Sequence, residues 1–531
     1  MDIIYQNGNI YSIDPENRRY SAVGIQDGKI AFLGNDEQAR AIEAARRVDL
    51  EGATVLPGFI DSHLHMLNYA FVTGSWRMFD VGSVEAAVEE GRQRLGEKTA
   101  AGDWLYGRGW NHEKFTGEKR LLTRHDLDRI STDRPILFIR VCGHIAAVNS
   151  RGLEIVLAQA AAKNYMHQID VENGILSEVA VKLCYDAMEP PSVERLKEMI
   201  LLAQKDYACR GITSVESDNF LSLPGRDRRS IVQAYRELDA AGALTVRVRE
   251  QASFATYEDM KAFIDEGHRT GQGGSHYRIG PVKLYQDGSL GARTALLNAP
   301  YEGEPDNRGL MIHTPETLHH CVDYACRHGM QMIIHAIGDA ASDMVMDTYE
   351  RVIAAQGLRE PRLIVNHVQV VGNSLFARMA KHGILANIQP MFVASDKGVI
   401  CPLVGPERAK TAYAWRSMLD SGIRCCGSSD SPVEDFDVLT GIQVAVTRDR
   451  PGENTGGWHP DQKLSVLEAV RLFTINNAYG AFEEDIKGSL ELGKLADLVV
   501  LGRDPFTTDV HRIVDIPVLR TVVGGQEVFT A

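Results

Sequence analysis

The chain has 531 residues, too many for one small core, so more than one domain is expected. Its 44% hydrophobic and 24% charged residues are those of an ordinary globular protein. A formal net charge of −14 without a basic block argues against a nucleic-acid partner, and no run approaches the roughly 18 apolar residues of a membrane-spanning helix.

The opening stretch "MDIIYQNGNIYSID" has neither a positive n-region nor an apolar h-region. No signal peptide is expected, and the cytoplasm is the default compartment. Eight scattered cysteines without a CxxC pair read as free thiols of a reducing compartment. Residues 1–55 read as short alternating strands separated by turns such as Asn7-Gly8 and Asp27-Gly28. Residues 484–531 return to the same style, with "LADLVVLGRD" and "PVLRTVVGGQEVF". Neither piece can build a core alone, so the two are expected to form one composite β-sandwich around an inserted middle.

In that middle, residues 56–67 and 196–483, continuous apolar strands alternate with helical stretches. "VLPGFIDSHLH" is followed by "GITSVES", "LTVRVRE", "GPVKLYQDG", "MQMIIHAIGD", "PRLIVNHVQ", "GILANIQP" and "IRCCGSSD". Several strand ends recur at intervals of about 30 residues, the length of a βα unit. Eight such strands predict an α/β fold, a TIM-like (β/α)8 barrel with a parallel sheet. Residues 68–195 are too long for a crossover and read as an inserted lid subdomain, with one strand expected at "RPILFIRVCGH".

Metal-capable or charged residues fall at the predicted C-terminal ends of five strands, the face where barrel active sites lie: His63 and His65, Lys283, His335, His367 and Asp430. Two imidazoles spaced by two on an extended chain point to one side. Each residue has a plainer reading by itself: a core histidine, a snorkelling or ion-paired lysine, a turn or N-capping aspartate. Their coincidence on one face favours a site for Zn²⁺ or a similar divalent ion.

"LPGFIDSHLH", "KLYQDGSLGARTA", "IHAIGD", "NHVQ", "GSSDSPV" and "GKLADLVVL" together resemble the amidohydrolase superfamily, and within it the group that includes bacterial N-substituted formamide deformylases. The resemblance implies two metal ions, most often zinc. His63 and His65 would hold one, and His335 and His367 the other. Lys283, carboxylated to a carbamate, would bridge them, and Asp430 would bind an ion and carry protons. It also implies hydrolysis of a non-peptide carbon–nitrogen bond in a small-molecule amide, N-formyl amides included, and it leaves room for a homodimer. Lactone or ester hydrolysis, attack on a cyclic amide, deamination and a non-catalytic relative are the alternatives. The absence of glutamate from "HAIGDAASD" argues against deamination, and retention of all six residues argues against a dead site. Cys142 stands where the group often has aspartate. Trp110, His144, Glu178, Gln286 and Arg293 are the candidate substrate-pocket residues.

Overall fold

The structure is a computed structural model that describes residues 1–96, 103–141, 145–163, 165–177 and 179–531. Two compact units result: Met1–His65 with Gln204–Asp218 and Asp239–Ala531, and Met66–Ala203 with Asn219–Leu238.

The first unit contains the eight-stranded parallel sheet that the sequence implies. Its strands are β1 (Phe59–Leu64), β2 (Ile212–Ser217), β3 (Arg247–Ser253), β4 (Tyr277–Tyr285), β5 (Met332–Ala336), β6 (Ile364–His367), β7 (Leu385–Ile388) and β8 (Cys425–Gly427). Each pairs with its successor in sequence from β1 to β8. The two end strands are drawn together without a full ladder. Ser62 Oγ donates to Gly427 O at 2.8 Å, Asp430 N donates to His63 O at 2.9 Å, and Asn477 Nδ2 spans Ile60 O and Gly427 O. The result is a nearly closed barrel whose strands are buried on both faces, which explains their continuous apolar character.

The same unit holds two further sheets built from both chain ends. One, in spatial order, is Lys29–Gly34, Ala22–Gln26, Ile3–Gln6 and Arg46–Asp49. The other runs Gln526–Thr530, Val518–Val523, Leu498–Leu501, Thr54–Pro57, Asn9–Tyr11 and Arg19–Tyr20. Ile3, Tyr5, Val23, Ile25, Val55, Leu498, Val500 and Val522 share one buried cluster, so strands from both ends fill a common core. The run Thr54–Ile60, which reads as one strand in the sequence, is divided at Gly58: Thr54–Pro57 belongs to the sandwich and Phe59 onwards to the barrel. A Cβ at Gly58 would lie 2.2 Å from Thr213 Cγ2, so only glycine allows the chain to pass this close to β2.

Arg247 at the start of β3 makes a bidentate pair with Asp497, which precedes Leu498–Leu501, at 2.8 and 3.0 Å. Both side chains are nearly buried. Asp497→Ala strands the guanidinium, and the expected cost is about 3–5 kcal/mol. This is checked as an earlier urea-unfolding transition; a transition at the wild-type position would show that Arg247 is stabilised without its partner.

The second unit carries a six-stranded mixed sheet, in order Ile169–Asp170, Ile175–Ser177, Ile145–Val148, Ile136–Arg140, Leu105–Trp110 and Trp76–Arg77. The sequence shows only one of these strands, Ile136–Arg140. The others have two to six residues, too short for a clear period, and Leu105–Trp110 is interrupted by Gly107 and Gly109. Trp76, Met78, Leu105, Trp110, Phe115, Ile136 and Phe138 form its core. Residues 219–238, expected with the barrel, also cluster with this unit. Among the described residues, no helix is long and apolar enough to cross a membrane.

Candidate metal centre

The six candidates come from the C-terminal ends of five strands. His63 lies near the end of β1 and His65 just beyond it; Lys283 lies in β4, His335 in β5 and His367 at the end of β6; Asp430 follows β8. His63, Lys283, His367 and Asp430 are buried. Single donor atoms of His63, His367 and Asp430 lie within 4.8 Å of one another. Asp430 Oδ1 is 3.1 Å from both His63 Nε2 and His65 Nε2, and Lys283 Nζ is 3.3 Å from His63 Nε2. The ring centroids of His335 and His367 are 4.3 Å apart, and those of His63 and His65 5.2 Å. His367 and Asp430 occupy left-handed backbone, with φ of 81° and 60°. For non-glycine residues this is strained, and such strain collects at functional sites.

The other ring nitrogens are held from behind. His63 Nδ1 is 2.6 Å from Gln251 Oε1, His65 Nδ1 is 3.0 Å from Asp218 O, and His367 Nδ1 is 2.9 Å from Gln389 Oε1. These oxygens only accept, so each Nδ1 carries a proton, and in a neutral ring Nε2 is the bare nitrogen. Burial lowers the His65 imidazole, but its hydrogen bond to Asp430 and the nearby carboxylates raise it overall. His335 is reversed. Its Nε2 is 3.0 Å from Gly288 O and 3.3 Å from Asp287 Oδ1, so its Nδ1 is the nitrogen left for a ligand bond.

This arrangement fits a cation. Burial, and then the Lys283 charge, push the His63 imidazole down to about 4, so at neutral pH a bare Nε2 faces the Asp430 carboxylate at 3.1 Å. A cation between them would relieve the repulsion of the two lone pairs. Imidazole nitrogens with one carboxylate oxygen form the donor set of zinc and similar ions. The Asn366 amide, 3.0 Å from His367 Nε2, is the group that would have to yield to an ion there.

Burial, then the nearby His335 charge, hold His367 well below the usual imidazole range. For Asp430, burial opposes ionisation, but the surrounding imidazoles of His63, His65 and His367 hold the carboxyl well below its ordinary value. Burial pushes the Lys283 amine down to about 8, against the opposing pull of Asp218 and Asp430.

Sequence reasoning missed the residues that clamp the imidazoles: Gln251, Gln389, Asp218 and Asp287. It also missed Tyr285, whose ring lies 4.9 Å from Lys283 Nζ and 5.4 Å from the His335 ring and whose hydroxyl donates to Asp218. A signal existed in β3. Arg249, Gln251 and Ser253 alternate along "RVREQAS", and all three make buried polar contacts with barrel residues.

The pocket candidates fall elsewhere. Trp110 is buried in the core of the second unit, where its indole N–H donates to Phe138 O; this is the setting of a packing residue. Gln286 is buried behind His335: its backbone N donates to His335 O and its Nε2 to His313 O. Arg293 is half-exposed and paired with Glu304. His144 and Glu178 lie outside the described residues, as does Cys142.

The model of the amidohydrolase family matches residues 46–529. The putative amidohydrolase YtcJ of Bacillus subtilis is 33% identical over 542 residues, spanning 100% of this chain and 99% of that protein. The N-substituted formamide deformylase of Arthrobacter pascens is 27% identical, over 99% of this chain and 97% of its own length. The crystal structure of an uncharacterized metal-dependent hydrolase from Pyrococcus horikoshii superposes with a TM-score of 0.82 at 28% identity, covering 96% of this chain and 99% of that one. With a family match across nearly all of the sequence and a relative one-third identical along its full length, the chain belongs to the amidohydrolase family.

Proposed function

We propose that the chain is a metal-dependent hydrolase that cleaves a non-peptide amide carbon–nitrogen bond in a small molecule, with N-formyl amides as leading candidates. The observation that carries this reading is the convergence of His63, His65, Lys283, His335, His367 and Asp430 on one end of the barrel, with Nδ1 of three imidazoles already held. The Arthrobacter pascens relative, an N-substituted formamide deformylase, supports the N-formyl choice.

The six residues would hold two divalent ions, zinc by donor type: His63 and His65 one, His335 and His367 the other. Divalent ions bound there supply a Lewis acid for the substrate carbonyl and a water acidic enough to ionise near neutral pH. Lys283 serves as the bridge once it is anionic. Its buried amine, pushed down to about 8, gives up its proton more readily than an exposed lysine. Neutral Nζ adds to the carbon of CO₂ and releases a proton, giving a carbamate with two oxygens. Asp430 is the proton carrier. Its backbone N–H donates to His63 O at 2.9 Å, which fixes the carboxylate over the site. It takes the proton of the attacking water and returns it to the departing nitrogen, which leaves poorly as an anion.

A deaminase reading has less support. The carboxylate after His335 is Asp339, whose Oδ1 already accepts from the backbone N–H groups of Asn298 and Ala340. A screen of N-formyl, N-acyl and cyclic amides, esters and amino-substituted rings, run with Zn²⁺ and after chelation, tests the proposal. Chelator-sensitive release of amine from acyclic amides is the expected result. Turnover confined to esters or ring amines would reject it.

A further inference from the structure

We infer that Gln251 and Gln389 are positioning residues: neutral amide clamps, part of one buried network of fixed polarity, that lock His63 and His367 as Nδ1–H tautomers and so turn both Nε2 atoms towards a divalent cation. The inference builds on the metal reading above, but the tautomers themselves are a property of the protein without metal.

The polarity of the network is set by a single backbone atom. Ser62 O can only accept. It receives Gln251 Nε2 at 2.8 Å and Asn387 Nδ2 at 3.0 Å. The first contact turns the other end of the Gln251 amide, Oε1, towards His63 Nδ1. The second leaves Asn387 Oδ1 to accept the Ser428 hydroxyl at 2.6 Å. Ser428 spends its hydrogen there, so its oxygen accepts from Gln389 Nε2 at 2.9 Å. The Nε2 of Gln389 also lies 3.3 Å from Asn366 Oδ1. Both contacts place Gln389 Oε1 against His367 Nδ1. Reversing either glutamine amide would set donor against donor or acceptor against acceptor along this chain. The tautomers of two imidazoles on β1 and β6 are therefore dictated from one carbonyl on β1. Ser62, Gln251, Asn387, Gln389 and Ser428 are all buried, so water cannot substitute for a missing member at low cost.

The choice of amide has a chemical consequence. A carboxylate behind a ligand imidazole makes it a stronger donor, whereas an amide oxygen orients the ring without adding charge. His335 is treated differently, with the Asp287 carboxylate 3.3 Å from its held nitrogen. The structure thus combines amide-clamped His63 and His367 with a carboxylate-backed His335.

The test uses the full chain and Zn²⁺ as the probe. Long-range ¹H–¹⁵N spectra of metal-stripped, histidine-labelled protein should show two neutral Nδ1–H imidazoles whose signals are lost or changed one at a time in Gln251→Met and Gln389→Met. Chelator competition should find Zn²⁺ binding about 10–100-fold weaker in each variant, the usual scale for a lost outer-shell partner. Gln389→Glu keeps an acceptor for Nδ1–H but loses the donor to Ser428 and Asn366, so the Nδ1–H signal of His367 should persist there although Zn²⁺ binding weakens; loss of that signal, as in Gln389→Met, would overturn the clamp. Nε2–H tautomers in the wild type, or Met variants that bind Zn²⁺ as tightly as the wild type, would overturn the inference. A wild type with Nδ1–H tautomers but no Zn²⁺ affinity would uphold the tautomer lock and instead reject the metal reading.

Discussion

Replacing Asp430 with asparagine should lower kcat on an acyclic amide by about 10²–10⁴, the usual worth of a positioned general acid–base. The substitution keeps the shape of the side chain and the contact of the backbone N–H with His63 O, and removes the carboxylate that faces His63 and His65 at 3.1 Å. An activated ester needs little protonation of its leaving group, so its loss should be smaller. The comparison must be made at matched metal occupancy, because the same oxygen is a candidate ligand. Equal losses on amide and ester would show that Asp430 acts only on the nucleophile or the ion, and the return of a proton to nitrogen would have to be dropped.

Lys283→Ala should be as severe. Lys283 is fully buried, and its Nζ sits 3.3 Å from His63 Nε2. Metal affinity should fall by more than the roughly 10–100-fold cost of losing an outer partner. Formate or acetate in the buffer can occupy the vacated space with two oxygens and should restore part of the activity. Full metal content in the variant, with no rescue by any small carboxylate, would contradict a bridging role.

The barrel was legible because fully buried parallel strands leave continuous apolar runs, and each of the eight runs is a strand. The division of the first run at Gly58 was not, since the clash with Thr213 that demands glycine exists only after folding. The strand positions of the six candidate residues were legible from their types and spacing. Their clamps were not, because a glutamine in "REQAS" or "NIQP" looks like any polar residue at a strand end; its meaning lies in contacts to Ser62 O and Ser428 Oγ, both distant in sequence. Trp110, a pocket candidate by sequence, is instead buried in the sheet that the flanking short strands form, an arrangement the short strands leave no signal for. Polar residues inside a strand therefore tell most when their alternation is read, as for Arg249, Gln251 and Ser253.

The most direct measurement is elemental analysis of the purified protein beside a His63→Ala, His65→Ala variant, each stripped and reloaded with Zn²⁺. One to two equivalents of divalent ion per wild-type chain and a clear loss in the variant are expected, with both proteins folded. Equal metal in the two, or none in a folded wild type, would contradict the claim that these histidines form a metal centre.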